Sequence, residues 1–151
     1  MEVTPSILTA DFSRLGETLD EAVAAGINWI HMDVMDGNWV VNRTITFGPA
    51  LIRSIRDSLG SEVTIDCHLM ITNAEETWEQ YAEAGVDMVI AHIEAVDDFP
   101  VLFARSANNW LLRVFSPALG CACFCSRGVS SHIPPPPCAS IGLELAFTQT
   151  L

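Results

Sequence analysis

Three amphipathic segments, each closed by a glycine and followed by a short apolar run, set the frame into which this chain can fold. Phe12, Leu15, Leu19, Ala22 and Val23 recur at helical spacing behind Asp11, a capping residue type, and Gly26 ends the segment. Gly48-Pro49 opens a second helix with Pro in its first turn; Leu51, Ile52, Ile55 and Leu59 form its stripe and Gly60 its stop. The third begins at Asn73 with Glu76 three residues on, the spacing of a capping box, buries Trp78, Tyr81 and Ala82, and stops at Gly85. Strand-like apolar runs fill residues 28–35, 63–70 and 86–94. Residues 3–8, interrupted by Pro5, suit a strand start or an irregular strand. The resulting βαβαβαβ order predicts a parallel sheet with right-handed crossovers. The units do not repeat in sequence, which excludes a solenoid.

The first full strand carries the chemistry. In Ile30-His31-Met32-Asp33-Val34-Met35-Asp36-Gly37 successive side chains alternate between faces, so His31, Asp33 and Met35 share one. His31 and Asp33 then lie about 7 Å apart along the strand, within reach of one metal ion. A lone His on such a strand is also what a satisfied core residue looks like. A carboxylate on the same face argues otherwise, because unpaired buried carboxylates are rare. Asp66-Cys67-His68 repeats the acid and imidazole pairing in the next strand. Asp36-Gly37 supplies turn chemistry, which puts the ligand face at the strand's C-terminal end, where α/β barrels build their sites.

Charge narrows the partners. With 19 acidic residues against seven cations, all Arg, the net charge is −12, which repels nucleic acid and anionic membrane. No signal-like leader opens the chain and no long apolar run follows, so it reads as cytoplasmic, and Cys67 alone in the first 105 residues fits a reducing compartment. The loop at residues 36–47 is long for a compact α/β domain, as functional loops often are.

Pro5-Ser6-Ile7-Leu8-Thr9-Ala10-Asp11, the His31 to Gly37 motif, residues 42–49 (NRTITFGP), Asp66-Cys67-His68-Leu69-Met70 and Ala91-His92-Ile93-Glu94-Ala95 together resemble ribulose-phosphate 3-epimerase over about residues 3–96. Val41 stands where the family usually has Pro. The resemblance implies a (β/α)₈ TIM-barrel type of α/β fold, here an incomplete half-barrel of about four parallel strands, with residues 1–105 as the amino-terminal half. It implies epimerisation of ribulose 5-phosphate to xylulose 5-phosphate through an enediolate, aided by a divalent ion (Zn, Fe, Mn or Co) on His31, Asp33 and His68. Asp33 would also be one acid/base, with Ser6, His68, Met35 and Met70 contacting the sugar phosphate. Asp66 and His92 are assigned no role.

Beyond about residue 97 the resemblance fades. Residues 106–151 form an atypical Cys/Pro-rich tail in which only Arg113, Arg127 and Glu144 are charged. The family's phosphate-gripping glycine loops and its second catalytic Asp have no counterpart there. Cys121, Cys123 and Cys125 could share one side of a strand, but their spacing is not that of paired zinc ligands. The tail is therefore expected to be poorly ordered, the product of a shifted frame, an intron or an alternative exon. Three functions remain in view: a weakly active or inactive pentose-phosphate epimerase, an epimerase of a six-carbon ketose phosphate, and a non-catalytic half-barrel or interaction module. Unpaired sheet edges add a homo-oligomer to the expectations.

Overall fold

The computed structural model of the chain describes residues 3–97 and two further strands, Leu111–Ser116 and Cys121–Cys125. Helices α1 (Leu15–Ala24), α2 (Pro49–Leu59) and α3 (Ala74–Glu83) alternate with strands β1 (Trp29–Met35), β2 (Thr64–Met70) and β3 (Met88–His92). The strands are parallel and adjacent in chain order; β4 (Leu111–Ser116) continues the sheet parallel to β3, and β5 (Cys121–Cys125) pairs antiparallel with β4. Among the described residues this is part of a (β/α) barrel and not a closed eight-stranded one. Apart from the strands β4 and β5, the tail, and with it the expectation that it packs poorly, lies outside the described residues.

One sheet face packs against the helices. Ile30, Met32 and Val34 of β1, Ile65, Cys67 and Leu69 of β2, and Val89 and Ala91 of β3 join Leu15, Leu19, Ile52, Ile55, Trp78 and Ala82 in one buried cluster. Burial in β1 alternates strictly, which leaves Trp29, His31, Asp33 and Met35 on the other face. The strand period thus separates core from chemistry within seven residues.

Arg56 pins the strand starts. Its Nε donates to the Gly85 carbonyl (2.6 Å), its Nη1 to the carbonyls of Gly60 and Val63 (2.6 and 2.8 Å), and its Nη2 pairs with Asp87. Asp87 in turn accepts from the Ile65 amide (2.8 Å), so the end of α2, the start of β2 and the turn before β3 share one ionic hub. Gly85 has φ +104°, and a Cβ there would lie 2.7 Å from Arg56 Cγ. Glycine is required both for the backbone conformation and for the close approach.

Three local expectations turn out differently. Residues 3–8 contribute one parallel bridge, Ser6 to His31, with the His31 amide donating to the Pro5 carbonyl (3.0 Å), before a 3₁₀ turn at Ile7–Thr9. Pro5 has no N–H with which to extend a ladder, so the irregular form prevails. Asn73 makes no side-chain cap: its ψ of 37° departs from the extended backbone a cap needs, and its carbonyl serves the amides of Glu76 and Thr77 instead. Along α1 only Leu15 and Leu19 are buried, while Phe12 and Val23 are exposed. Phe12 sits edge-to-face on Phe47 (centroids 5.9 Å apart), covering the loop and not the sheet.

Candidate metal and acid–base site

Register builds the site. In the β1–β2 ladder His31 lies opposite Asp66, Asp33 opposite His68, and Met35 opposite Met70. Side chains two strands wide therefore stack in rows on the face turned away from the helices. The His31 Nε2 is 3.1 Å and the His68 Nδ1 3.6 Å from the same oxygen, Asp33 Oδ1. One donor atom from each of His31, Asp33 and His68 lies within 4.8 Å of the others. Their side chains are 14%, 21% and 15% exposed for His31, His68 and Asp33, sheltered yet still open to an entering ion.

Each of the three is held from behind. Ser6 Oγ donates to Asp33 Oδ2 at 2.6 Å, which explains why the otherwise irregular first segment is bridged to β1 at Ser6. His31 Nδ1 bonds Asp66 Oδ1, and Trp29 Nε1 donates to Asp66 Oδ2. His68 Nε2 meets His92 Nε2 at 2.8 Å with the two rings stacked (4.9 Å, 27°), and Trp39 from the 36–47 loop lies 5.6 Å from the His92 ring.

The electrostatics ask for a cation. Burial opposes charge on His31, but the carboxylates of Asp33 and Asp66 outweigh it and raise its pKa to about 10. Burial likewise opposes charge on Asp33, yet hydrogen bonds from His31, His68 and Ser6 hold its carboxyl far below the usual range. Two imidazoles and one carboxylate form a donor set that fits a divalent ion. His92 is shifted the other way, its pKa lowered by burial and by the neighbouring His68. Cys67, buried on the core face, has its thiol pushed well up by burial and takes no part.

The loops at this end are tied together by Asp36. Its Oδ1 accepts from the amides of Asn38 (2.8 Å) and Trp39 (2.9 Å), and its Oδ2 from the amide and hydroxyl of Thr72 (both 2.8 Å), linking the loop after β1 to the loop after β2. Thr46 folds the same loop back, accepting from the Met35 amide (2.9 Å) and donating to the Asp33 carbonyl (2.8 Å). Slight desolvation raises the Asp36 pKa, but the Thr72, Trp39 and Asn38 donors outweigh it and the net shift is downward. A carboxylate with a depressed folded pKa stabilises above the ordinary value of about 3.9 and loses that stabilisation as pH falls through the folded value. Asp36→Ala is therefore expected to cost about 1–2 kcal/mol at neutral pH, a gap that narrows below about pH 4. Urea denaturation of both proteins from pH 7 to pH 3 checks this; an unchanged gap at pH 3 would contradict it.

The family model for ribulose-phosphate 3 epimerases matches residues 2–108, spanning every element that positions the cluster. The chain belongs to the ribulose-phosphate 3-epimerase family. Among its relatives, the ribulose-phosphate 3-epimerase of Synechocystis sp. is 49% identical over 92 residues, covering 61% of this chain and 38% of the relative. That of Mycobacterium tuberculosis is 46% identical over 104 residues, covering 68% of this chain and 42% of the relative. The cytoplasmic isoform of Oryza sativa subsp. japonica is 40% identical over 97 residues, covering 64% and 41%. The chain thus spans about two fifths of the length of these relatives.

Every residue singled out from the sequence lies on the site face or its rim. His31, Asp33 and His68 converge, Ser6 touches Asp33, and Met35 and Met70 lie side by side one pleat repeat beyond Asp33 and His68. Asp66, His92 and Trp29, which the sequence alone gives no role, contact the imidazoles or their partner. Alternation along β2 already puts Asp66 and His68 on one face; only the parallel register reveals that Asp66 faces His31.

Proposed function

We propose that this site is the ion-holding and first acid/base half of a ketose-phosphate 3-epimerase, acting on ribulose 5-phosphate to give xylulose 5-phosphate. The reading is carried by the convergence of His31, Asp33 and His68 within 4.8 Å on the helix-free face of β1 and β2. A bound divalent ion supplies Lewis-acid stabilisation of the negative charge that develops on the ketose oxygens. Asp33 takes the proton from C3, and Ser6, bonded to its Oδ2, orients the carboxylate and contacts the substrate. His68 contacts the sugar on the same side, while Met35 and Met70 wall the planar enediolate with polarisable, non-hydrogen-bonding surface. Met side chains there exclude water without offering a competing proton. A six-carbon ketose phosphate presents the same carbonyl and remains the close rival substrate.

In this reading residues 1–105 are the amino-terminal half-barrel and residues 106–151 a separate Cys/Pro-rich tail. The substrate is a small sugar phosphate, and nucleic acid and membrane are not partners of so acidic a chain. A homo-oligomer follows from open sheet edges. A cytoplasmic location is supported by the similarity to the cytoplasmic isoform of Oryza sativa subsp. japonica. A second reading, a non-catalytic half-barrel, is favoured by one feature: after Asp98 the only further acidic residue is Glu144.

Calorimetric titration of the chain with Zn²⁺, Mn²⁺ and Co²⁺ tests the proposal. One ion per chain is expected, lost in His31→Ala and in His68→Ala, with visible Co²⁺ bands of a low-symmetry site. Absence of binding by the unaltered chain, or binding that survives both substitutions, overturns it.

A further inference from the structure

Asp66 is one of two buried polar side chains among the described residues, 3% exposed, in the middle of the sheet. Burying a carboxylate is costly unless it is fully partnered, and both its oxygens are spent on β1: Oδ1 on His31 Nδ1 and Oδ2 on Trp29 Nε1. Trp29 and His31 are alternate residues of β1, so they share a face and approach the carboxylate as a pair. Register fixes the rest, since Asp66 is the Cα partner of His31 across the ladder.

Building on the proposed ion site, we infer that Asp66, held in place by Trp29, is a positioning residue that fixes the ring and tautomer of His31. With Nδ1–H donated to Asp66, the nitrogen left for an ion is Nε2, which lies 3.1 Å from Asp33 Oδ1. Nε2 is thereby aimed at the point where Asp33 and His68 Nδ1 converge. An isolated imidazole offers either nitrogen and rotates about its side-chain bonds; here both freedoms are removed before an ion arrives. The carboxylate also increases the basicity of the ligating nitrogen, the usual effect of an acidic partner behind a metal-bound His. Asp66 touches neither ion nor substrate in this arrangement and acts only through His31.

The inference is tested on the full chain with two readouts. The first is the dissociation constant for Zn²⁺, expected to weaken by about 10–100-fold in Asp66→Ala and Asp66→Asn, and by less in Trp29→Phe, which leaves the His31 bond intact. The second is the ¹⁵N spectrum of the His31 ring in the zinc-loaded chain. The unaltered chain should show Nδ1 protonated and Nε2 ligating; the Asp66 variants should lose that single signature. Should Asp66→Ala fail to fold, Asp66→Asn, which preserves shape and volume, decides. Unchanged affinity and an unchanged ring signature in a folded Asp66 variant overturn the inference while leaving the ion site standing. Failure of the unaltered chain to bind Zn²⁺ overturns the ion site itself, and this inference with it.

Discussion

Asp33→Asn is expected to lower the rate at which ribulose 5-phosphate exchanges its C3 hydrogen with solvent by about 10²–10⁴-fold, the usual loss for a positioned acid/base. The same substitution weakens ion binding, because Asp33 Oδ1 is the one oxygen that both His31 Nε2 and His68 Nδ1 approach. Asparagine keeps the size of the side chain and one carbonyl oxygen, so Ser6 retains an acceptor and the core face of β1, formed by Ile30, Met32 and Val34, is untouched. Ser6→Ala removes only the orienting hydrogen bond and should cost far less. Proton NMR in D₂O with Mn²⁺ replaced by Zn²⁺, to avoid paramagnetic broadening, follows loss of the C3–H signal. Exchange at the unaltered rate in folded Asp33→Asn would remove Asp33 from the chemistry.

The parts of this site that alternation can reveal were legible in the sequence. His31 and Asp33 share a face because they are two residues apart in a strand, and the glycine-terminated helices between strands made the parallel order readable. What alternation cannot give is the stagger between strands. A shift of one pair in the β1–β2 ladder would place Asp66 and His68 on the wrong rows, and nothing local fixes that stagger. It is set by packing on the opposite face and, at the strand starts, by the Thr64 amide donating to the Asn28 carbonyl (2.9 Å), while the Arg56 hub, joining Gly60, Val63, Gly85 and Asp87, ties β2 to β3. The failed capping box at Asn73 has a similar origin. Asp36 holds Thr72, the residue before it, by both amide and hydroxyl, and the loop tether dictates the approach to α3. Residues 3–8 read as a strand by composition, yet Pro5 and the Ser6 to Asp33 bond confine them to a single bridge.

Exchange and inversion should separate in this chain, with xylulose 5-phosphate forming about 10²–10⁴-fold more slowly than deuterium enters C3. Inversion needs a proton removed from one face and another delivered to the opposite face. In the proposed mechanism Asp33 serves only the face on which β1 and β2 meet. The family resemblance assigns the opposite face to an Asp near the end of a seventh strand, and residues 98–151 offer only Asp98 and Glu144 as carboxylates, neither within a matching motif. A carboxylate that has taken a proton, exchanged it with solvent and returned it to the same face leaves labelled ribulose 5-phosphate with its configuration retained. The resemblance also places phosphate-gripping loops in the part of the family that residues 98–151 do not match, and the lower remote binding energy expected without them would slow either outcome. That deficit enters both rates alike, so their ratio reports the missing acid/base alone. The measurement pairs a coupled assay of xylulose 5-phosphate with NMR of C3 deuteration on one zinc-loaded sample, beside the full-length Synechocystis relative, in which the two rates should be comparable. Equal rates in this chain, both abolished by Asp33→Asn, would mean that a group within these 151 residues reaches the far face and completes the epimerase.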